Sequence, residues 1–260
     1  MNCGPMPDRR DDVSEDAFLG GRLRLRQPVT GHRAGHDAVL LAAATAVRAG
    51  QRVVDFGAGV GAAALAVAQR ERAIDLVMVE IDPGLATLAS ANAALNDIAA
   101  EVLTLDVTAG ASVFAAAGLG PDSVDVVLMN PPFNDSLRQQ ASPDAARRIA
   151  HEATATTLES WIHAARRILK PGGVLTLIWR ADAIAEVLAA LDRGFGSVAM
   201  QPVHGVASAP AIRILVRAIK GGRAPTQIFA SVMLNDAAGV PNQQAQAVLA
   251  GKALLALAAL

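Results

Sequence analysis

The chain has no tyrosine, two tryptophans and a single cysteine, Cys3. One cysteine excludes an intramolecular disulfide framework and a cysteine-cluster metal site, and no metal is expected. No apolar run reaches the roughly 18 residues of a membrane-spanning helix. The charged opening around Asp8, Arg9, Arg10, Asp11 and Asp12 has no apolar signal-peptide core. The expectation is therefore a soluble cytoplasmic protein with no membrane partner. Strong charge bias is missing too. A net charge of −1 argues against a nucleic-acid footprint spread over the whole surface and leaves only local patches. What abounds is apolar and alanine-rich sequence. With 52% hydrophobic residues in 260, a sizeable core is available, and no linker or internal repeat divides the chain.

The organising stretch is Met129–Asn130–Pro131–Pro132–Phe133–Asn134. It follows an apolar run over residues 124–129 that reads as a buried strand. The first proline pushes Asn130 into an extended conformation, and both prolines fix φ near about −65°. A rigid, donor-poor elbow then stands at a strand's carboxyl end, where open α/β sheets bind ligands.

Upstream, residues 1–17 are polar and read as a disordered tail. Leu and Arg alternate over residues 22–26, as in a half-exposed strand. Four arginines and no acid lie between Gly20 and His36, so residues 18–37 form a local basic arm. Two readings stay open: an edge strand whose charges deter aggregation, or a polyanion contact. Residues 38–47 are an apolar run of helical length with Asp37 placed as its N-cap.

Residues 52–56 read as a strand, followed by Gly57–Ala58–Gly59–Val60–Gly61 and an alanine-rich helix over 62–69. This strand, glycine loop and helix open a dinucleotide-type βαβ unit. The spacing is GxGxG, and no P-loop Lys-Ser/Thr follows. The next strand, 75–81, ends in Glu80–Ile81–Asp82, with Glu80 19 residues after Gly61. An acid at that tip hydrogen-bonds ribose hydroxyls. A third strand, 102–105, ends in Asp106. Asp55, Glu80 and Asp106 at successive strand ends, together with the glycine loop, point beyond helix capping.

After the elbow, residues 134–152 read as a mobile polar loop carrying Arg138, Arg147 and Arg148. A helix over 156–169, a Lys170–Pro171–Gly172–Gly173 stop, a strand over 174–179 and a helix over 181–191 come next. A hairpin over 198–203 and 211–219, a basic turn with Lys220 and Arg223, a strand over 227–234 and a terminal helix over 243–260 complete the expectation. The fold class is α/β: a doubly wound, mostly parallel, Rossmann-like seven-stranded sheet with an antiparallel edge hairpin, spanning residues 18–260.

With these pieces in view the chain resembles the class I S-adenosylmethionine-dependent methyltransferases of the small-domain group, especially bacterial tRNA(Val) adenine-N6 methyltransferases. The resemblance covers about residues 18–235. It rests on residues 16–22, 33–42, 55–61, 80–82, 130–134, 170–173 and 220–223. It implies S-adenosyl-L-methionine as cofactor. By it, Gly57, Gly59 and Gly61, following Asp55, pass close to the methionine part, and Glu80 holds the ribose diol. Ile81 packs on the adenine, and Asp106, with Val107, binds its amino edge. The region from Arg33 to Asp37 closes over cofactor and target. Asn130, Pro131, Pro132 and Phe133 form the catalytic elbow, with Asn130 also facing the cofactor. It further implies a tRNA or other RNA partner, met through Arg22, Arg24, Arg26, Arg138, Arg147, Arg148, Lys220 and Arg223.

Such an elbow suits methylation of a planar nitrogen, whose lone pair is delocalised. The Asn130 side-chain oxygen and the Pro131 carbonyl would accept hydrogen bonds from the amino group and aim its lone pair, while Phe133 would stack on the ring. Adenine N6, guanine N2 and a glutamine amide all fit this pattern. A small-molecule O-methyltransferase and a non-catalytic binding protein are the competing classes.

Overall fold

The computed structural model describes residues 13–30, 33–132 and 143–259, with the backbone alone over 143–155. Five strands run parallel: β3 (Arg52–Phe56), β4 (Asp75–Glu80), β5 (Glu101–Thr104), β6 (Val124–Met129) and β7 (Leu169–Arg180). Beyond β7 comes β9 (Ala211–Lys220), antiparallel to β7 and to its other neighbour, β8 (Phe195–His204). The spatial order is β8-β9-β7-β6-β3-β4-β5. These seven strands and the antiparallel edge match the expectation.

Two further strands of two residues each, β10 (Gln227–Ile228) and β11 (Val232–Met233), lie parallel to β8 and bring the sheet to nine. They replace the continuous strand expected over 227–234. The gap falls opposite Gln201 and Pro202. Proline has no N–H for a ladder, and the Gln201 Nε2 donates to the Ala230 carbonyl at 2.9 Å instead.

The central runs are apolar on both faces because both are covered. One face carries α1 (His36–Ala44), α2 (Ala62–Arg70), α3 (Pro83–Leu95) and α7 (Gln243–Leu249), packed around Leu41, Leu65 and Met78. The other carries α4 (Ala111–Ala116), α5 (Pro143–Ile168) and α6 (Ile184–Leu191), packed around Phe56, Phe114 and Trp179. Every residue from Ala62 to Ala68 is buried. Small side chains let α2 sit close to the sheet. Among the described residues no helix is long and apolar enough to cross a membrane.

Several boundaries differ from the sequence reading. Residues 1–12 lie outside the described residues, but Val13–Phe18 form β1, which pairs with β2 (Leu23–Pro28) in a hairpin. The tail reading is thus too long by five residues. Helix α1 starts at His36 and its N-cap is Gly35, so Asp37 lies inside the first turn and caps nothing. The helix stops at Ala44 because the Arg70 guanidinium takes the Ala42 and Thr45 carbonyls at 3.0 and 2.5 Å. Helix α5 begins at Pro143, a residue suited to a first helical position, so the expected loop over 134–152 is helical in its second half. Its first half, residues 134–142, lies outside the described residues. Strand β7 reaches back through Lys170–Gly173 to Leu169, with a register shift between Val124 and Val126.

The terminal helix ends at Leu249. Gly251, at φ 66°, turns the chain, and the Arg217 guanidinium binds the Leu257 and Ala259 carbonyls at 2.8 and 2.7 Å. A positive φ at that point is cheap only for glycine.

Phe114 of α4 has no exposed surface. Its ring meets Phe56 edge-on at 5.9 Å, and the Arg167 guanidinium lies over it at 4.6 Å. Phe114→Ala is expected to lower stability by about 3–5 kcal/mol, read as a shift in the urea midpoint at unchanged slope. A loss below about 1 kcal/mol would show that α4 is not part of the core.

Candidate active site

The sheet reverses direction between β3 and β6. The chain runs β3, β4, β5 to one side and returns to place β6 on the other, which opens a crevice at the carboxyl ends of the strands. Register aligns those ends. Phe56 lies opposite Met129 on one side and Val79 on the other, and Glu80 lies opposite Thr104. Asn130, the glycine loop, Glu80 and the loop after β5 therefore share one rim.

The glycine loop is held by its own backbone and by one side chain. Gly57 and Ala58 donate to the Val79 carbonyl at 2.9 and 3.0 Å, and Gly61 donates to Ala58 at 2.8 Å. Gly57, Gly59 and Gly61 all have positive φ. At Gly57 a Cβ would collide with the Trp161 ring of α5. At Gly61 it would stand 2.9 Å from the Met78 sulfur.

Glu80, 6% exposed, accepts from the Gly59 N–H at 2.7 Å through one oxygen and from the Asp82 N–H at 2.9 Å through the other. Sequence reasoning assigned Glu80 to a ligand and missed that it ties two loops together. Each oxygen keeps lone pairs beyond the one these bonds use. Asp82 caps α3 by accepting from Gly84 and Leu85 at 2.7 and 2.9 Å. Ile81, between them, is 62% exposed. Asp106 accepts from the Thr108 N–H and hydroxyl through one oxygen, both at 2.7 Å. Val107 is buried and borders a 260 Å³ cavity between the loop after β5 and helix α5.

These features fit an adenosyl cofactor. A Cβ at Gly59 would meet open space, Glu80 has acceptor capacity for a diol, Ile81 offers an apolar face, and the second Asp106 oxygen has no partner among the described residues.

Asp55 sits under the loop, 2% exposed, and accepts from the Ala64 N–H at 3.1 Å. Burial pushes its carboxyl from 3.8 up to about 8; the Ala64 bond opposes this and the Glu80 charge adds to it.

At the elbow, Pro131 is buried and Pro132 exposed. The Asn130 Oδ1 is enclosed yet has no hydrogen-bond partner among the described residues. A buried carbonyl left unmade costs about 1–3 kcal/mol and calls for an explanation. Phe133 and Asn134 lie outside the described residues.

Arg33 and Asp37, expected at the cofactor, bind protein groups. Arg33 pairs with Asp16 at 2.6 Å and donates to the Pro28 carbonyl at 3.1 Å; Asp37 pairs with Arg213 at 2.9 Å. The basic arm is largely offset as well. Arg24 and Arg26 both pair with Glu15, an acid just upstream of the window that looked acid-free. Arg22 donates to the Gly251 carbonyl at 2.8 Å, and Lys220 pairs with Asp122 at 2.8 Å. Arg223 is exposed. Arg138 and the side chains of Arg147 and Arg148 lie outside the described residues.

Comparison with known proteins places this geometry. A family described as "Methyltransferase small domain" matches residues 34–204. A protein named tRNA1(Val) (adenine(37)-N6)-methyltransferase from Bacteroides thetaiotaomicron is 32% identical over 157 residues, 60% of this chain and 62% of that one. The protein of the same name from Erwinia tasmaniensis is 31% identical over 186 residues, 71% and 74% of the two chains. A crystal structure described as a predicted O-methyltransferase from Agrobacterium tumefaciens superposes with a TM-score of 0.70 at 31% identity, over 84% of this chain and 98% of the other. A Thermotoga maritima S-adenosylmethionine-dependent O-methyltransferase shares the fold at a TM-score of 0.51, with 18% identity over 75% and 69% of the two chains.

Asp55 is neutral in the fold but ionised in the unfolded chain between pH 3.8 and about 8. Folding takes up a proton there, so this carboxyl's contribution declines as pH rises through the window, by up to about 1.4 kcal/mol per pH unit. Asp55→Asn is expected to remove that decline in urea titrations run across it. Equal pH slopes for the two proteins would show Asp55 ionised in the native state.

Proposed function

Because the chain belongs to the methyltransferase small-domain family, a group of S-adenosyl-L-methionine-dependent enzymes, we propose that it methylates the exocyclic amino nitrogen of a planar base, adenine N6 in tRNA. The observation that carries this reading is the enclosed Asn130 Oδ1 on the rim beside the glycine loop, which has no partner among the described residues. The names of the curated relatives supply the substrate.

When bound, the cofactor supplies a methyl group on a sulfonium, already a good leaving group. The chain's task is then positioning and a matched field. An adenine amino group brings two N–H donors and a lone pair spread into its ring. Asn130 Oδ1 accepts from one N–H and the Pro131 carbonyl from the other. This favours a pyramidal nitrogen with its lone pair on the cofactor side. On taking up the methyl group this nitrogen would shed one proton to solvent, while Asn130 Oδ1 and the Pro131 carbonyl act only as acceptors that hold and aim it. Proline at 131 and 132 offers no N–H to compete for these acceptors. Phe133 takes the stacking role by resemblance, a contact worth about 1–3 kcal/mol per base. A base in a duplex would have to flip out to reach this rim, whereas a loop base would not.

The Agrobacterium structure's description favours a second reading, methylation of an oxygen. A hydroxyl brings one hydrogen and needs a base or a cation to become a nucleophile. The Asn130 amide is neither, and it leaves one of the two acceptors unused.

With Arg24, Arg26 and Lys220 paired to carboxylates, RNA contact in this reading falls to Arg138, Arg147 and Arg148 and to Arg22 and Arg223, the last two exposed and without a carboxylate partner among the described residues.

Two measurements test the proposal. Nucleoside mass spectrometry of tRNA incubated with the protein and methyl-labelled cofactor is expected to find label in N6-methyladenosine. Label confined to oxygen or to small molecules would overturn it. Asn130→Ala is expected to lower turnover about 10²–10³-fold, the scale of losing one preorganised group, with cofactor affinity nearly unchanged. A matching loss of cofactor affinity would make the elbow structural.

A further inference from the structure

We propose that Asn92 is a positioning residue of the cofactor site, acting by locking the N-terminal hairpin onto the glycine loop. Helix α3 is otherwise rich in Ala and Leu, and an asparagine in its interior works against helix propensity. Asn92 nevertheless has no exposed surface, where an unbonded amide would be costly.

Its amide is fully engaged. Oδ1 accepts from the Arg26 N–H at 2.7 Å, and Nδ2 donates to the Arg26 carbonyl at 3.0 Å and to the Val60 carbonyl at 2.9 Å. One turn on, Asn96 repeats two of these three bonds. It accepts from the Arg24 N–H at 2.9 Å and donates to the Arg24 carbonyl at 2.8 Å. Its remaining hydrogen goes to the Asn92 carbonyl at 2.7 Å, so it does not reach the glycine loop.

Arg24 and Arg26 are two apart on β2, so their N–H and C=O groups face the same edge. Two side-chain amides at i and i+4 on α3 stand in for a neighbouring strand along that edge. Of the two, Asn92 alone extends the clamp to the cofactor loop, through the carbonyl that separates Gly59 from Gly61.

The same strand also reaches the segment before α1. Gln27, 3% exposed, accepts from the Ala34 N–H at 2.8 Å and donates to Asp16 at 3.1 Å, and Asp16 holds Arg33. Strand β2 is thus tied at one point to the loop under the cofactor and at another to the residues expected above it. The family match begins at residue 34, so this hairpin lies outside the matched region.

The inference rests on cofactor binding and not on the identity of the methyl acceptor, so binding is what the test reads. The full chain, Asn92→Ala and Asn96→Ala are titrated calorimetrically with S-adenosyl-L-methionine, and their unliganded melting temperatures compared. Both variants lose part of the strand clamp and are expected to melt lower. Asn92→Ala alone is expected to bind the cofactor more weakly, by about 5- to 20-fold, or about 1–2 kcal/mol. Equal affinity losses in the two variants, or none in Asn92→Ala, would overturn the proposal. A mutation-free measurement guards against a variant that fails to fold. Coupling is reciprocal, so cofactor added to the wild-type protein should slow amide exchange at Arg26, whose acceptor is Asn92. Unchanged exchange there would equally refute the coupling.

Discussion

The Glu80 carboxylate is the tie on which the rim depends. It holds the Gly59 N–H with one oxygen and the Asp82 N–H with the other, so the loop after β3 and the loop after β4 cannot move independently. Asp82 in turn caps α3. That helix carries Asn92 back to the glycine loop from its other end. A charge-assisted bond at each end of one carboxylate is stronger than a neutral pair, and here it lies on a nearly buried group. The loop is thus pinned at Gly59 from β4 and at Val60 from α3. Of its three glycines, Gly59 faces open space, while Trp161 and Met78 crowd Gly57 and Gly61.

Against that frame of satisfied polar groups, the elbow stands out. Asp55 is buried but bonded to Ala64 and kept neutral by its surroundings. Asn92 and Gln27 use their amides on backbone and carboxylate partners. Asn130 Oδ1, on the same rim, has none among the described residues. Other buried side-chain atoms also lack a partner, Arg167 Nε and Thr176 Oγ1 among them, but Asn130 Oδ1 is an acceptor standing at the end of a strand that forms this rim. The two prolines that follow remove the local donors that could have closed it. The acceptor is suited to a ligand with N–H groups.

Much of this was legible in the sequence, and the residues show why. Strands β3, β4 and β6 are continuous apolar runs because both sheet faces are covered, and such runs are readable locally. The glycine loop, Glu80 and the elbow each sit at the end of such a run, and Asp106 follows β5, a partly buried edge strand, so their sharing of one rim followed from topology. What escaped were partnerships between residues far apart in the chain. Asn92 meets Arg26 across 66 residues and Asp37 meets Arg213 across 176. No local pattern announces either, though two asparagines four apart in an alanine-rich helix were a signal. The arginines of the arm looked unopposed because Glu15 and Asp16 lie just before it, in a stretch read as tail. The terminal helix was overextended because alanine and leucine favour helix, while Gly251 and the buried Arg217 decide where the chain turns.

In the proposed reaction Asn130 Oδ1 receives an N–H of the methyl acceptor. The most direct measurement is a crystal structure of the protein with S-adenosyl-L-homocysteine and an RNA stem-loop carrying an unpaired adenine. The adenine amino nitrogen is expected about 2.7–3.2 Å from Asn130 Oδ1, with its other hydrogen on the Pro131 carbonyl. An adenine seated elsewhere, with Asn130 Oδ1 bonded to a protein group, would contradict it.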